Sequence, residues 1–127
     1  MRANVYFIDL TDEMVAAINA PGPDATSGWA SPEGKAYMSA KAGKIDDTNR
    51  HLFKHTAVVD VDHAEAAWVM LQNLDAPWDA NEDYSKLVQV VSKNNRSMDV
   101  GDVIVWEDGR TEMVASCGFE PSTFVEA

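Results

Sequence analysis

One cysteine in 127 residues, Cys117, rules out an internal disulfide, and its neighbours Ser116 and Gly118 supply no cation to lower its pKa. A half-buried structural thiol is the expectation. No apolar run approaches the roughly 20 residues that cross a bilayer, and the N-terminus MRANVYFIDL lacks the basic, apolar and small-residue zones of a signal peptide. The expectation is a cytosolic protein with no membrane partner. Glycines are sparse, and Gly22, Gly28 and Gly34 stand six apart without the Lys-Ser/Thr of a phosphate loop, which argues against nucleotide binding. Positive charge is scarce too. Ten Lys and Arg face 21 Asp and Glu, a formal charge of −11, and without a segregated basic face like-charge repulsion opposes phosphate contacts, so direct nucleic-acid binding is disfavoured.

What is present suits a folded domain. The length is that of one domain, and an apolar share of 46% lies far from the signature of disorder. The chain should fold alone or as a small oligomer, a homodimer included. The acids cluster: Asp60, Asp62, Glu65, Asp75, Asp79, Glu82 and Asp83 fall between Asp60 and Ser85 with no Lys or Arg among them. Two readings stay open: a solvated face, or a patch complementary to a basic partner, nucleic-acid mimicry included.

Val5 to Ile8 is rich in β-formers, and Thr11 can cap a short helix through Asp12 and Glu13, with Met14, Val15 and Ile18 at helical spacing up to Asn19. Pro21-Gly22-Pro23 stops it, and residues 20–32 read as a mobile loop around Trp29. Gly34 to Ala42 can form a short helix. His55 to Val61 predicts a strand. Asp62 and Glu65 have the form of a capping box for a helix that buries Ala64, Ala67, Trp68 and Leu71 and ends near Asp75, before Pro77. Leu87 to Val91 is a further strand, followed by a basic, Asn-rich turn over Ser92 to Ser97. Asp102 to Glu107 and Arg110 to Cys117 flank Asp108-Gly109, which predicts a hairpin with a type I′ turn. The sum is one α+β domain over 1–127: a small, mostly antiparallel sheet with a C-terminal β-hairpin and two or three helices packed on it.

Ala67-Trp68, Gln72-Asn73-Leu74-Asp75 and Pro77-Trp78, followed by Arg96-Ser97-Met98-Asp99-Val100-Gly101-Asp102-Val103-Ile104 and Cys117-Gly118-Phe119, together resemble small proteins of phages and other mobile elements. The RSM-x-VGDVI part is similar to YodL-like domains. The resemblance covers the C-terminal half and implies no catalytic residues. The residues themselves explain VGDVI structurally: Gly101 permits a tight turn, Asp102 can bond a nearby backbone N–H, and Val103 to Val105 enter a sheet or barrel. The Gly-Asp-hydrophobic start also resembles PUA- and ASCH-like barrels, some of which bind RNA.

Chemistry finds little footing. His51 and His55 are four apart and His63 lies near Asp60 and Asp62, but the strand beginning at His55 breaks the helical setting that a metal pair needs. No motif surrounds Cys117 or a Ser as nucleophile, and no cofactor, metal or catalytic residue is assigned. Aromatic side chains in acid-rich loops suit a basic protein partner through burial and cation–π contact. The candidate partner-binding residues are Trp29, Asp75, Trp78, Asp79, Glu82, Asp83 and Tyr84. For Trp78 the competing reading is that it packs under Pro77 and closes the core. The functional expectation is a non-enzymatic phage or mobile-element protein that occupies a host macromolecule, for instance inhibiting a defence or nucleic-acid-handling system. The alternative is an RNA- or DNA-binding module with Lys86, Lys93 and Arg96 as its basic edge.

Overall fold

β1 (Arg2–Ile8) is apolar on alternate residues at its start and on both faces at its end, and it becomes the middle of the sheet. In the computed structural model, which describes residues 1–19, 28–74, 76–94 and 96–124, β1 lies between β2 (Phe53–Asp60) and β4 (Val103–Trp106). β3 (Val88–Val90) flanks β2, and β5 (Thr111–Val114) and β6 (Phe119–Pro121) continue beyond β4, giving the order β3-β2-β1-β4-β5-β6 with every pair antiparallel. The architecture is the expected α+β one with a C-terminal strand hairpin. The sheet is open, with β3 and β6 as its two edges, and not the closed barrel that the Gly-Asp start resembles.

Period-two alternation gives each sheet face its own core. Ala3, Val5 and Phe7 of β1 join Ala57 and Val59 of β2 and Ile104 and Trp106 of β4 on one face, under Ala64 and Ala67 of α3 (Ala64–Met70) and Leu71 just beyond its end, with Trp78 and Met98. On the other face Ile8, Phe53, Val103 and Met113 lie beneath Met14 of α1 (Asp12–Asn19), Ala40 of α2 (Pro32–Lys41), Leu52 and Phe124. The helices therefore sit one on one side and two on the other. A β-bulge keeps both patterns in phase: the β1–β2 register shifts between Val5↔Ala57 and Tyr6↔His55, leaving Thr56 as the extra residue. Its buried hydroxyl donates to the Lys54 carbonyl at 2.8 Å, and its carbonyl accepts from the N–H groups of Val91 and Ser92.

Several local expectations change on contact with the fold. Thr11 caps α1 as expected, accepting from the Met14 N–H at 3.2 Å, but Val15 faces solvent while Met14 and Ile18 are buried. Residues 20–27 of the anticipated loop lie outside the described residues; the rest of it is a 3-10 turn, Gly28–Ala30, leading into Ser31, whose hydroxyl caps α2 through the Gly34 N–H. α3 is capped by His63, whose Nδ1 accepts from the Ala66 N–H, and not by Asp62. It ends at Met70, well before Pro77, because the Leu71 carbonyl is taken by the Met98 N–H and the Asn73 N–H by the Ser97 hydroxyl. The hairpin turn is three residues long: the Gly109 N–H bonds the Trp106 carbonyl, Trp106 N–H bonds Arg110 carbonyl, and Gly109 alone has positive φ, +93°. That is a type I turn with a glycine bulge in place of the predicted type I′ turn, in which Asp108 would also need positive φ. β6, three residues with a proline among them, was not expected.

Candidate functional site

Residues of the stretch from Arg96 to Asp102 converge on one buried ion pair. Asp102 is wholly buried, and Arg96 reaches it with both terminal nitrogens at 2.7 Å. Each carboxylate oxygen accepts one further N–H: Oδ1 from Ile8 at 2.8 Å and Oδ2 from Asp99 at 2.8 Å. Arg96 also donates to the carbonyls of Ile8 and Ser97, and its guanidinium lies 4.5 Å from the centre of the Phe7 ring. Burial pushes the Asp102 carboxyl up from its ordinary value, opposed by Arg96 and by the two backbone N–H groups. The Arg96 guanidinium loses solvent too, but its bonds to Asp102 outweigh this and raise it. With all four contacts to the carboxyl coming from donors, a proton on either oxygen would face another N–H, so the ionised pair is the form the geometry fits. Gly101 completes the turn: its φ is +93°, and a Cβ there would lie 2.7 Å from Ile8 Cδ1 and 2.8 Å from Lys41 Cα. The cluster ties the end of β1 to the start of β4, with Lys41 of α2 closing over it by an ion pair to Asp99 at 3.3 Å. Both terminal nitrogens of Arg96 are spent internally, which makes this a clasp of the fold and not a ligand site.

Surface depressions lie at both ends of the sheet, beside β5 and β6 and at the β3 end, and it is the β3 end that brings candidate residues together. Two 3-10 turns, Trp78–Ala80 and Glu82–Tyr84, run along the α3 side of β3. Between them and the strand is a groove lined by Trp78, Ala80, Val88 and Val90, with Asp79 and Glu82 at its lip and Asn81 and Ser85 beside them. Among the described residues no ion pair engages Asp79 or Glu82. Ser85 also lines a second depression that runs past Lys86 and Leu87 to Asp60 and Arg2. Comparison with family models, curated proteins and solved structures finds no match. The geometry therefore carries the functional argument by itself.

Of the candidate partner-binding residues, Asp79, Glu82 and Tyr84 come together on these turns, Asp79 and Tyr84 half-buried and Glu82 exposed. Trp78 does not belong among them as a surface anchor. It is 2% exposed, its ring lies 5.8 Å from that of Phe7, and its indole N–H donates to the Arg96 carbonyl at 2.9 Å. It closes the core, as the competing reading had it, and supplies only the groove floor. Trp29 is 56% exposed but belongs to the α1–α2 layer, tilted against Tyr37 at 5.9 Å. Asp75 and the side chain of Asp83 lie outside the described residues. Exposed carboxylates also stand at Asp9, Asp12, Glu13, Asp46, Asp47, Glu107, Asp108 and Glu120, so acidity covers several sides of the molecule and the acid-rich segment is one part of it.

The other candidates disperse. His51 is exposed on the 3-10 turn before β2, His55 stacks on Tyr6 at 5.0 Å, and His63 is occupied in capping α3. Among the described residues no group of three or more His, Cys, Asp or Glu is placed to hold a metal. Cys117 is exposed, not half-buried as expected. Of the basic edge drawn for nucleic acid, Lys86 and Lys93 are exposed while Arg96 is committed to Asp102. No described helix is long and apolar enough to cross a membrane. Sequence reasoning missed Val88 and Val90 as groove residues; the only sign of them was the largely apolar, uncharged character of Leu87 to Val91, broken by Gln89 alone, which a buried strand shares.

Proposed function

We propose that this chain is a non-enzymatic binding protein that takes a basic segment of another macromolecule into the groove between the two 3-10 turns and β3. One observation carries the reading: an apolar floor of Trp78, Val88 and Val90 is edged by Asp79 and Glu82, carboxylates with no ion-pair partner among the described residues. A Lys or Arg side chain suits this arrangement because its aliphatic stem covers apolar surface while its head reaches a carboxylate. The formal charge of −11 steers such a partner toward the protein from a distance. The resemblance of the C-terminal half supports a phage or mobile-element setting, in which the protein would act in the host cytosol by occupying a host macromolecule and inhibiting it. The RNA- or DNA-binding alternative loses support with Arg96 spent inside the fold.

The test is retention of host proteins on the immobilised chain, compared with the double variant Asp79→Lys, Glu82→Lys. A partner held at low salt, released at high salt and absent from the variant supports the groove. Equal retention by both proteins, or nothing retained at low salt, overturns it.

A further inference from the structure

The sheet ends in two unlike edges. β6 carries Glu120 and Pro121, a charge and a residue without an N–H, both of which discourage strand addition. β3 has neither device. Leu87 to Val91 contains no charge, proline or bulge, and Leu87, Val90 and Val91 are all exposed.

The ladder shows which of its backbone groups are free. β3 pairs with β2 as Ala57↔Val90, Val58↔Gln89 and Val59↔Val88. The flanking bonds, Asp60 N–H to the Leu87 carbonyl and Val91 N–H to the Thr56 carbonyl, fix the alternation. Leu87, Gln89 and Val91 therefore direct their backbone groups inward, and Val88 and Val90 direct theirs outward.

We infer that a second copy of the chain pairs antiparallel with this outward edge of β3, about a two-fold axis through Gln89. In that register Val88 of each copy stands opposite Val90 of the other, and each such pair exchanges both N–H···O bonds, so all the outward groups are satisfied. Charge agrees with the register. The chain before β3 is acidic at Asp79 and Glu82 and the chain after it is basic at Lys93. Antiparallel pairing turns the Lys93 end of one copy toward Ser85 and the Glu82 turn of the other, while the two Lys86 residues are kept apart. The dimer has one twelve-stranded sheet, and because the axis is perpendicular to that sheet the two grooves open on the same side. Val88 and Val90 of both copies then form one apolar floor, walled on each side by Asp79 and Glu82.

This inference stands apart from the identity of any groove ligand, and salt separates the two. Two copies that each carry −11 repel, so added salt strengthens the dimer, whereas it weakens attraction of a basic segment.

The test is sedimentation equilibrium over a concentration series on the wild type, on Gln89→Lys, on Gln89→Glu and on an equal mixture of the two variants. Gln89 is exposed and its backbone bonds are retained in every variant, so the fold is preserved, which circular dichroism checks. At the axis the two residue-89 side chains are direct cross-strand neighbours, and like charges there disfavour pairing. The expected result is a two-fold rise in mass for the wild type that grows with salt, monomers for each variant alone, and dimers again in the mixture. A wild type that stays monomeric at the highest concentration and salt, a Gln89→Lys variant that still dimerises, or a mixture that stays monomeric each overturns the inference.

Discussion

Asp102→Ala is the perturbation whose cost the structure lets one work out. The substitution removes the acceptor for both terminal nitrogens of Arg96 and for the N–H groups of Ile8 and Asp99. Breaking a buried pair from one side costs about 3–5 kcal/mol, and a buried N–H left without an acceptor costs about 1–3 kcal/mol. These overlap, and the Arg96 side chain is 35% exposed, so its freed charge can take up water. A loss of about 3–4 kcal/mol follows. That is a large part of the roughly 5–15 kcal/mol that holds a domain together. Urea unfolding followed by tryptophan fluorescence measures it, with Trp78 as a local reporter because its indole N–H is bonded to the Arg96 carbonyl. Arg96→Ala should also be severe, and the double variant should be less damaged than the sum of the singles by about 1–3 kcal/mol. A cost for Asp102→Ala below about 1 kcal/mol, or strict additivity in the double variant, refutes the clasp.

Three further outcomes follow from the same geometry. Gly101→Ala should cost roughly 1–3 kcal/mol or more through positive φ and collision with Ile8 and Lys41, whereas Gly109→Ala, at the same φ in open space, should cost about 1 kcal/mol; equal melting shifts for the two would contradict the packing argument. Arg96→Lys should behave more like Arg96→Ala than like the wild type, because a single ammonium cannot span both Asp102 oxygens and the Ile8 and Ser97 carbonyls; chemical denaturation distinguishes these. Acid should destabilise the protein through three carboxyls, against the opposite contribution of Asp102, which burial pushes up: Asp46 is held below its ordinary value by Thr48 and Asp108 by Arg110, and at Asp99 the Val100 N–H and Lys41 outweigh the upward push of burial. Lowered folded-state values mean stability that is complete above about pH 4 and lost as pH falls through them. A melting temperature that is flat or rises on acidification in that window goes against it.

The sequence made β1 to β5 and the hairpin they end in legible because β-branched runs between turn residues report local preference, whereas β6 carries no such run. What it hid depends on contacts between distant segments. α3 stops at Met70 because Met98 and Ser97 claim the backbone beyond it, a competition invisible to a rule that waits for Pro77. The Arg96 side chain looked like a free cation in a basic turn because nothing local shows that Asp102, once buried, has no other counter-ion. Trp78 sat in an acid-rich stretch that suggested a surface anchor, yet its partners are Phe7 and the Arg96 carbonyl. The groove survives as the candidate site because Asp79 and Glu82 belong to turns that the strand only later comes to face.

The claim on which the functional account turns is that basic side chains settle between Asp79, Glu82 and the valines of β3. Backbone amide chemical shifts recorded while an arginine-rich peptide is titrated into isotope-labelled protein address it directly. The account predicts changes concentrated on residues 78–90, diminished by salt and absent in the variant with lysine at positions 79 and 82. Changes spread evenly over the exposed carboxylates, or gathered on the α1–α2 side, contradict it.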